Sequence, residues 1–329
     1  MVNSIRRKFG RKLYPGIFSR RRQIRIKLDN CIMKYLLDSG MGDELEQRGF
    51  EVPDWKTSIW SVSALIKSPN AVVEIHKDNI KAGCNVITTN NYYVTPNILK
   101  REGIESEFES LTRLAIDLAE ESRQGFPEVL IAGSFPPIET NFRPDLTPSN
   151  DVLDDYYSNL GSFIQQNVDL IICETMGSIR EGINAARNAL EFSDHVWLSW
   201  TNKGVSGDAL PSGEKLKDAI TEANQLDIEC QLVNCCAADL ATKNIEILKT
   251  ATNFGIYANS RKLKEQKLIQ DLGETVDIDV NHYENTLPMT AEEYAKEAKI
   301  WIDEGAYVVG GCCTTRPEHI KKIADELKK

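Results

Sequence analysis

Two adjacent cysteines near the end of the chain are the first residues whose types and spacing suggest chemistry. Cys312 and Cys313 follow the apolar run 307–309 and two glycines. Adjacent cysteines seldom bond to each other without strain, but as thiolates they can bind one soft metal ion, and glycines let the backbone fold closely around it. The alternative is that both pack as small buried hydrophobic side chains. The pair alone therefore indicates either a metal site or a core position.

A third cysteine, Cys235, follows the apolar run 230–234 in a similar way. Three thiolates leave a tetrahedral zinc ion with one open position, which is typical of a catalytic site. Such a metal suits an added thiol, bound as thiolate below its usual pKa of about 8.5, better than it suits the activation of water. The predicted chemistry is alkylation of that sulfur. Cys236 is a rival ligand, which we interpret as a packed thiol.

The elements that must position these cysteines are short apolar runs that alternate with helix-like segments. The predicted strands are 35–38, 85–88, 129–133, 169–173, 196–200, 230–234, 254–257 and 307–309. Continuous apolar strands that alternate with amphipathic helices are typical of parallel strands buried on both faces. Eight such units predict an α/β fold, a single-domain (β/α)8 TIM barrel over residues 31–329, with a doubly wound open sheet as the alternative.

Between the strands, helical spacing of apolar residues marks three segments. They are 106–118, 152–163 and 290–302. Ser106 with Glu109, and Thr290 with Glu293, match capping boxes, which predict helix starts. Thr315 is the predicted N-cap of the last helix. The loop 134–150 is rich in proline and is expected to cover the top of the barrel.

Composition and charge limit the classes of function. Of 329 residues 41% are hydrophobic, yet no apolar run reaches the ~20 residues that span a bilayer. Eight cysteines are few for this length, which fits a reducing, cytoplasmic compartment.

Residues 1–28 carry ten Lys or Arg and no acid, which leaves 29 basic against 49 acidic residues in the rest. The acidic body argues against nucleic acid as a partner. We interpret residues 1–30 as a basic extension: an organellar targeting segment, a flexible arm or a solvated tail.

In a barrel of this kind the chemistry lies on the loops after the carboxyl ends of the strands. The polar residues there are Asp38, Thr88, Thr89, Glu174, Cys235, Asn259, Cys312 and Cys313. One strand separates the sixth from the eighth around the ring, so Cys235 can approach Cys312 and Cys313 across the mouth. We therefore expect the three thiols to face one point.

Several motifs along the chain resemble those of the zinc-dependent homocysteine S-methyltransferases, the family of the betaine- and S-methylmethionine-homocysteine methyltransferases. In family order they are 37–42, 44–49, 59–61, 82–90, 173–175, 233–235 and 310–313. The combination of Asn-Cys with Gly-Gly-Cys-Cys is specific. The resemblance implies transfer of a methyl group from an onium donor to the zinc-bound thiolate of homocysteine, producing methionine.

The resemblance also implies roles for individual residues. Cys235, Cys312 and Cys313 are the implied zinc ligands, with the homocysteine sulfur as the fourth. Asp38 and Glu174 are implied to hold the amino group of homocysteine, and an ammonium indeed favours paired carboxylates. The further implied residues are Ser39, Gly40 and Thr89 at the carboxylate end of homocysteine, and Trp60 and Tyr93 beside the donor, with the adjacent Tyr92 as a rival to Tyr93. Asn259 is a candidate substrate-binding residue because it follows the seventh strand at the mouth.

The sequence leaves the donor open among S-methylmethionine, betaine and another small sulfonium. The loop 133–137 lacks the Gly-Pro-Tyr-Gly pattern common among users of S-methylmethionine, and Thr175 after Glu174 departs from the aromatic cage of the betaine enzymes. Two other functions also stay open. One is a thiol-rich barrel that binds metal or senses oxidants without turnover, and the other is methyl transfer to a different thiol or selenol. The oligomeric state is not predicted.

Overall fold

A computed structural model of the chain describes residues 33–139, 142–165, 167–202, 206–264 and 286–328. The predicted basic extension at 1–30, and its boundary with the barrel, lie outside these ranges. None of the helices within them is both long enough and apolar enough to cross a membrane.

Eight parallel strands form a nearly closed barrel. They are β1 (Tyr35–Leu36), β2 (Val86–Thr88), β3 (Leu130–Phe135), β4 (Leu170–Met176), β5 (Val196–Thr201), β6 (Cys230–Ala237), β7 (Phe254–Asn259) and β10 (Val308–Val309). Their order around the sheet is β1-β10-β7-β6-β5-β4-β3-β2, and a parallel bridge between Leu37 and Val86 joins the two ends. The predicted (β/α)8 barrel is therefore confirmed, and the open sheet is excluded because its two edge strands would not meet.

Helices surround the barrel and bury their apolar faces against the strands. They are α1 (Met41–Gln47), α2 (Ser63–Lys67), α3 (Pro69–Ala82), α4 (Pro96–Arg101), α5 (Phe108–Arg123), α6 (Asn150–Ile164), α7 (Ile179–Leu190), α8 (Leu216–Ala223), α9 (Ala238–Lys243), α10 (Ile245–Leu248), α11 (Ala291–Asp303) and α12 (Pro317–Glu326). The barrel interior is filled by side chains that alternate with those facing the helices, including Leu37, Val86, Ile172, Trp197, Leu232, Tyr257 and Val308. The interior of the barrel is thus a packed core, and a cavity lies at its mouth.

Two of the predicted helix starts are wrong. The chain enters α5 through a 3-10 turn at Glu105–Glu107, so Ser106 is already inside a helical turn and cannot cap. The last helix is preceded by Arg316, whose backbone N–H donates to Nδ1 of His319, because the Thr315 side chain is used elsewhere. The capping box of Thr290 is confirmed at the start of α11.

One small element was not predicted from the sequence. Strand β8 (Arg261–Leu263) follows β7 almost directly and pairs antiparallel with β9 (Thr286–Pro288), outside the barrel. The segment β8 carries no long apolar run, so periodicity alone did not mark it.

Candidate metal and substrate site

Three thiols meet at the mouth of the barrel. The sulfur atoms of Cys235, Cys312 and Cys313 all lie within 4.8 Å of one another, and those of Cys235 and Cys313 are 3.7 Å apart. Cys235 and Cys313 are buried, and Cys312 is partly exposed to the cavity. Zinc bound by cysteine has Zn–S distances of about 2.3 Å, and sulfurs this close can share one ion. The donor set therefore fits a single soft metal with an open position on the cavity side.

The loop that carries Cys312 and Cys313 is held from two sides. The Thr315 hydroxyl donates to the carbonyl oxygen of Cys312 at 2.6 Å and accepts the backbone N–H of Gly40 at 3.2 Å. Asp43 accepts the backbone N–H of Thr314 at 3.0 Å. A Cβ at position 40 would lie 2.6 Å from the Cys312 oxygen, so this close approach requires glycine. Thr315 thus ties the thiol loop to the turn after β1 and does not cap a helix.

Cys235 and Glu174 lie within the last residues of their strands and not on the following loops. The register of β6 against β7 shifts between Asn234 and Ala237, and that of β4 against β5 shifts between Cys173 and Met176. Such irregularities bend a strand and redirect its side chains. Here they aim the Cys235 thiol and the Glu174 carboxylate toward the same cavity, whose lining includes both residues.

Backbone strain is concentrated at this site. In the described ranges, five residues other than glycine have positive φ, and all five belong to the site or touch it. Trp60, Thr175 and Cys235 line the cavity, Phe142 packs against two of the thiols, and Thr314 follows Cys313. Each such conformation costs on the order of 1–3 kcal/mol and persists only where the surroundings hold it. The rest of the fold must therefore stabilise these unfavourable backbone conformations at the barrel mouth.

Asp38 sits at the end of β1 with both carboxylate oxygens directed to β2. Its Oδ2 accepts the backbone N–H of Thr88 at 2.9 Å, and its Oδ1 accepts the Thr88 hydroxyl at 3.3 Å. Burial raises the pKa of Asp38 to about 7. Nδ1 of the buried His76 is 3.8 Å from Oδ2, beyond hydrogen-bond distance, and burial lowers the pKa of His76 to about 4. His76 is therefore neutral, and the Asp38 charge has no cationic partner there.

Glu174 faces the cavity from the opposite side. Its Oε1 accepts the hydroxyl of Ser134, and burial raises the pKa of Glu174 to about 8, helped by the neighbouring charge of Asp38. Two buried carboxyl groups with raised pKa values gain from a cation between them, since it favours both ionised forms. Among the residues that the structure describes, no lysine, arginine or histidine lines the cavity, so a cationic group of a ligand would meet two carboxyl groups there.

The three thiols cannot all ionise without a metal. The thiols of Cys235 and Cys313 donate to Cys312 and hold its pKa well below the usual range, whereas the same contact holds the pKa of Cys235 well above it. A positive ion held among the three sulfurs would favour their ionised forms.

Trp60 and Tyr92 form an aromatic wall of the cavity, and further aromatic side chains pack behind this wall and against the thiols. Trp60 lines it and makes an edge contact with Tyr93, with ring centroids 5.9 Å apart. Phe142 packs against Cys235 and Cys313 and contacts Trp55, with centroids 6.4 Å apart. Phe142 lies in the proline-rich loop 134–150, which therefore reaches over the thiols. This wall could hold an onium methyl group.

Most of the predicted site residues line one cavity. They are Asp38, Ser39, Gly40, Trp60, Thr89, Glu174, Cys235, Cys312 and Cys313. Tyr93 and Asn259 do not line it: Tyr93 is packed beneath Trp60, and the neighbouring Tyr92 stands on the wall instead. Cys236 belongs to the core between strands and helices and is not part of the thiol cluster.

Sequence reasoning missed Asn234, Phe142 and Tyr257. Asn234 carried a signal because it precedes Cys235 in a specific motif, but its role depends on contacts with β4. No sequence pattern marked Phe142 or Tyr257 as a site residue. Phe142 lies in a loop, and Tyr257 has the pattern of an ordinary strand residue.

Comparisons with known proteins agree with this geometry. The chain matches the family model described as homocysteine S-methyltransferase over residues 35–327. The homocysteine S-methyltransferase YbgG of Bacillus subtilis (strain 168) is 28% identical over 314 residues, which cover 88% of this chain and 93% of that protein. A selenocysteine methyltransferase of Astragalus bisulcatus is 25% identical over 325 residues, which cover 88% of this chain and 90% of the relative.

Among solved structures, the oxidized form of the homocysteine methyltransferase MmuM from Escherichia coli has the same fold. It matches with a TM-score of 0.73 at 23% identity, and the match covers 92% of this chain and 99% of that one.

Proposed function

This chain belongs to the homocysteine S-methyltransferase family, and we propose that it moves a methyl group from a small onium donor to the thiolate of homocysteine in a zinc-dependent reaction. As a member of the family it is a methyltransferase that acts on homocysteine. The proposal adds the metal, the charge type of the donor and the residues that bind each substrate. It rests on one cavity that joins three thiols, two carboxyl groups and an aromatic wall.

Cys235, Cys312 and Cys313 are the proposed zinc ligands. Their mutual distances and burial support this. A zinc ion held there would supply the positive charge that keeps an added thiol ionised at neutral pH. Thr315 and Asp43 contribute by keeping the loop of Cys312 and Cys313 in place before any substrate arrives.

Asp38 and Glu174 are the proposed partners of the homocysteine ammonium. Both are buried at the cavity, and none of the described residues that line it is a basic side chain that would compete for them. The carboxylate end of homocysteine would then meet Ser39, Gly40 and Thr89. In the described part of the chain, the Ser39 hydroxyl is buried without a hydrogen-bond partner, which makes it available to a ligand.

The donor is proposed to be a cation. With the homocysteine ammonium bound, Asp38 and Glu174 are ionised, and together with the thiolates they keep the cavity negative, so a sulfonium or quaternary ammonium is attracted more strongly than a neutral or anionic donor. The face of Trp60 adds cation–π attraction of about 0.5–2 kcal/mol.

In the transfer step, the thiolate sulfur forms a bond to the methyl carbon while the bond from that carbon to the donor heteroatom breaks. The electron pair leaves with the heteroatom and neutralises its charge, so no general base is needed.

The experiment is methionine formation by zinc-loaded protein given homocysteine and, in parallel, S-methylmethionine, betaine or another small sulfonium. Turnover with one of them, abolished by a chelator and restored by zinc, is the expected result. Turnover that persists in metal-free protein would overturn the role of zinc. A parallel series with selenocysteine tests the acceptor, since one relative carries that substrate in its name. Faster turnover of the selenol would reassign the acceptor while keeping the chemistry.

A further inference from the structure

The hydroxyl group of Tyr257 has no role in the reaction proposed above. Its side chain lies on the interior face of β7, in register with Asn234 of β6, and it lines the cavity. The residue is 5% exposed. Within the described part of the chain, its hydroxyl has no hydrogen-bond partner of acceptable geometry.

Two polar neighbours of this hydroxyl, Ser199 and Glu174, each make a hydrogen bond to another group, and for Glu174 that bond uses only one of the two carboxylate oxygens. Ser199 uses its proton to donate to Oδ1 of Asn234 at 2.7 Å, and Oε1 of Glu174 accepts from Ser134. Glu174 and Ser199 are nonetheless close enough to influence the Tyr257 proton, and Cys312 and Cys235 face the ring from the thiol side. Burial keeps the pKa of Tyr257 well above its usual value, so the hydroxyl stays neutral and can both donate and accept.

A buried hydroxyl without a partner is unfavourable, and phenylalanine would fill the same space without that cost. An unpaired polar group on a residue that lines a cavity is therefore best explained by a partner that arrives with the ligand. Tyr257, Glu174 and the three thiols all line one cavity. This is the region where the amino-acid end and the sulfur of a bound homocysteine would both lie.

We propose that the Tyr257 hydroxyl is a third polar group that binds the ammonium of homocysteine, together with Asp38 and Glu174. The phenol oxygen accepts one ammonium N–H, and the phenol O–H donates to the free oxygen of Glu174. The three N–H bonds of the ammonium then have three acceptors, and no proton is gained or lost. This inference rests on the proposed function, because it assumes that the two carboxyl groups bind the amino group.

The test uses Tyr257→Phe, which removes only the oxygen, in full-length zinc-loaded protein. The matched control is Tyr156→Phe, because Tyr156 also has a buried hydroxyl without a partner but lies on α6, away from the cavity. Calorimetry measures the dissociation constants of homocysteine and of 4-mercaptobutyrate, the same thiol without the amino group. Zinc content is measured for every variant.

The expected result is that Tyr257→Phe weakens homocysteine about 10-fold, the effect of one hydrogen bond to a charged group, and leaves 4-mercaptobutyrate unchanged. Equal loss for both thiols, no loss for either, or the same loss in Tyr156→Phe would overturn the inference. If wild-type protein binds 4-mercaptobutyrate as tightly as homocysteine, the assignment of Asp38 and Glu174 to the amino group fails first. The two failures are therefore distinguishable.

Discussion

Asn234 holds Thr175 with both ends of its side-chain amide. The amide oxygen accepts the backbone N–H of Thr175 at 3.0 Å, and the amide nitrogen donates to the Thr175 hydroxyl at 2.7 Å. Thr175 has a φ of 60°, a conformation that needs such support. Because Asn234 precedes Cys235 and Thr175 follows Glu174, this contact connects the thiol strand to the carboxylate strand.

We expect Asn234→Ala to destabilise the protein by about 1–3 kcal/mol, because it leaves the buried N–H of Thr175 without an acceptor. Urea unfolding measures this change. Ser199→Ala is the control, since it removes one bond to Asn234 and keeps both bonds to Thr175, and its effect should be smaller. Equal stability of Asn234→Ala and wild type would contradict the role of this contact.

If the proposed zinc site is correct, Cys235→Ala should fail to retain zinc after loading, whereas Cys236→Ala should retain it. The first removes one of three sulfurs that share a site, and the second changes a neighbouring thiol in the core. Metal content after dialysis against a weak chelator separates the two. Retention of zinc by Cys235→Ala together with its loss from Cys236→Ala would reverse the ligand assignment.

Metal-free protein without substrate should lose stability as the pH rises from about 4.5 to about 8. Burial raises the pKa of Glu174 from 4.5 to about 8, so over this interval the folded state binds more protons than the unfolded state, and stability falls with pH. The expected loss is on the order of a few kcal/mol. Glu174→Gln cannot ionise and should lose less stability between pH 5 and pH 8 in urea unfolding. Identical losses in the variant and wild type would show that Glu174 is not the group responsible.

Gly42→Ala should displace the Trp60 ring, because a Cβ at position 42 would lie 2.2 Å from a ring carbon. Alanine in α1 gains up to about 1 kcal/mol of helix propensity, but crowding at this contact costs about 1–3 kcal/mol and should dominate. We expect a higher KM for the donor with little change in the KM for homocysteine. Gly177→Ala is the control, since its Cβ would meet only ordinary contacts at 3.5 Å. Equal donor KM values in the two variants would remove Trp60 from the donor site.

Much of the fold could be predicted from the sequence alone, because it follows from local patterns. Each apolar run marks a buried parallel strand, and eight of them at regular spacing mark a barrel. The three thiols were also predictable, since a barrel brings the carboxyl ends of its strands to one mouth. The predicted N-cap at Thr290 is confirmed, because its capping-box partner Glu293 lies only one helical turn away.

The predictions from sequence were wrong where contacts over long distances in the chain compete with local ones. Thr315 had the pattern of an N-cap, but its hydroxyl is used by Gly40, 275 residues earlier. Tyr92 and Tyr93 are equivalent in type, and only packing beneath Trp60 decides which of them reaches the cavity.

The sequence by itself determined the barrel, the three thiols and the two carboxyl groups, since residue type and strand order are sufficient for them. Only the tertiary structure decided the direction in which these side chains point at the barrel mouth. The strand irregularities next to Thr175 and Cys235, and the unpartnered hydroxyl of Tyr257, depend on neighbouring strands that are distant in the chain. Alternation along a strand predicts two faces, but a shift of register redirects single side chains, and that shift is set by pairing between strands.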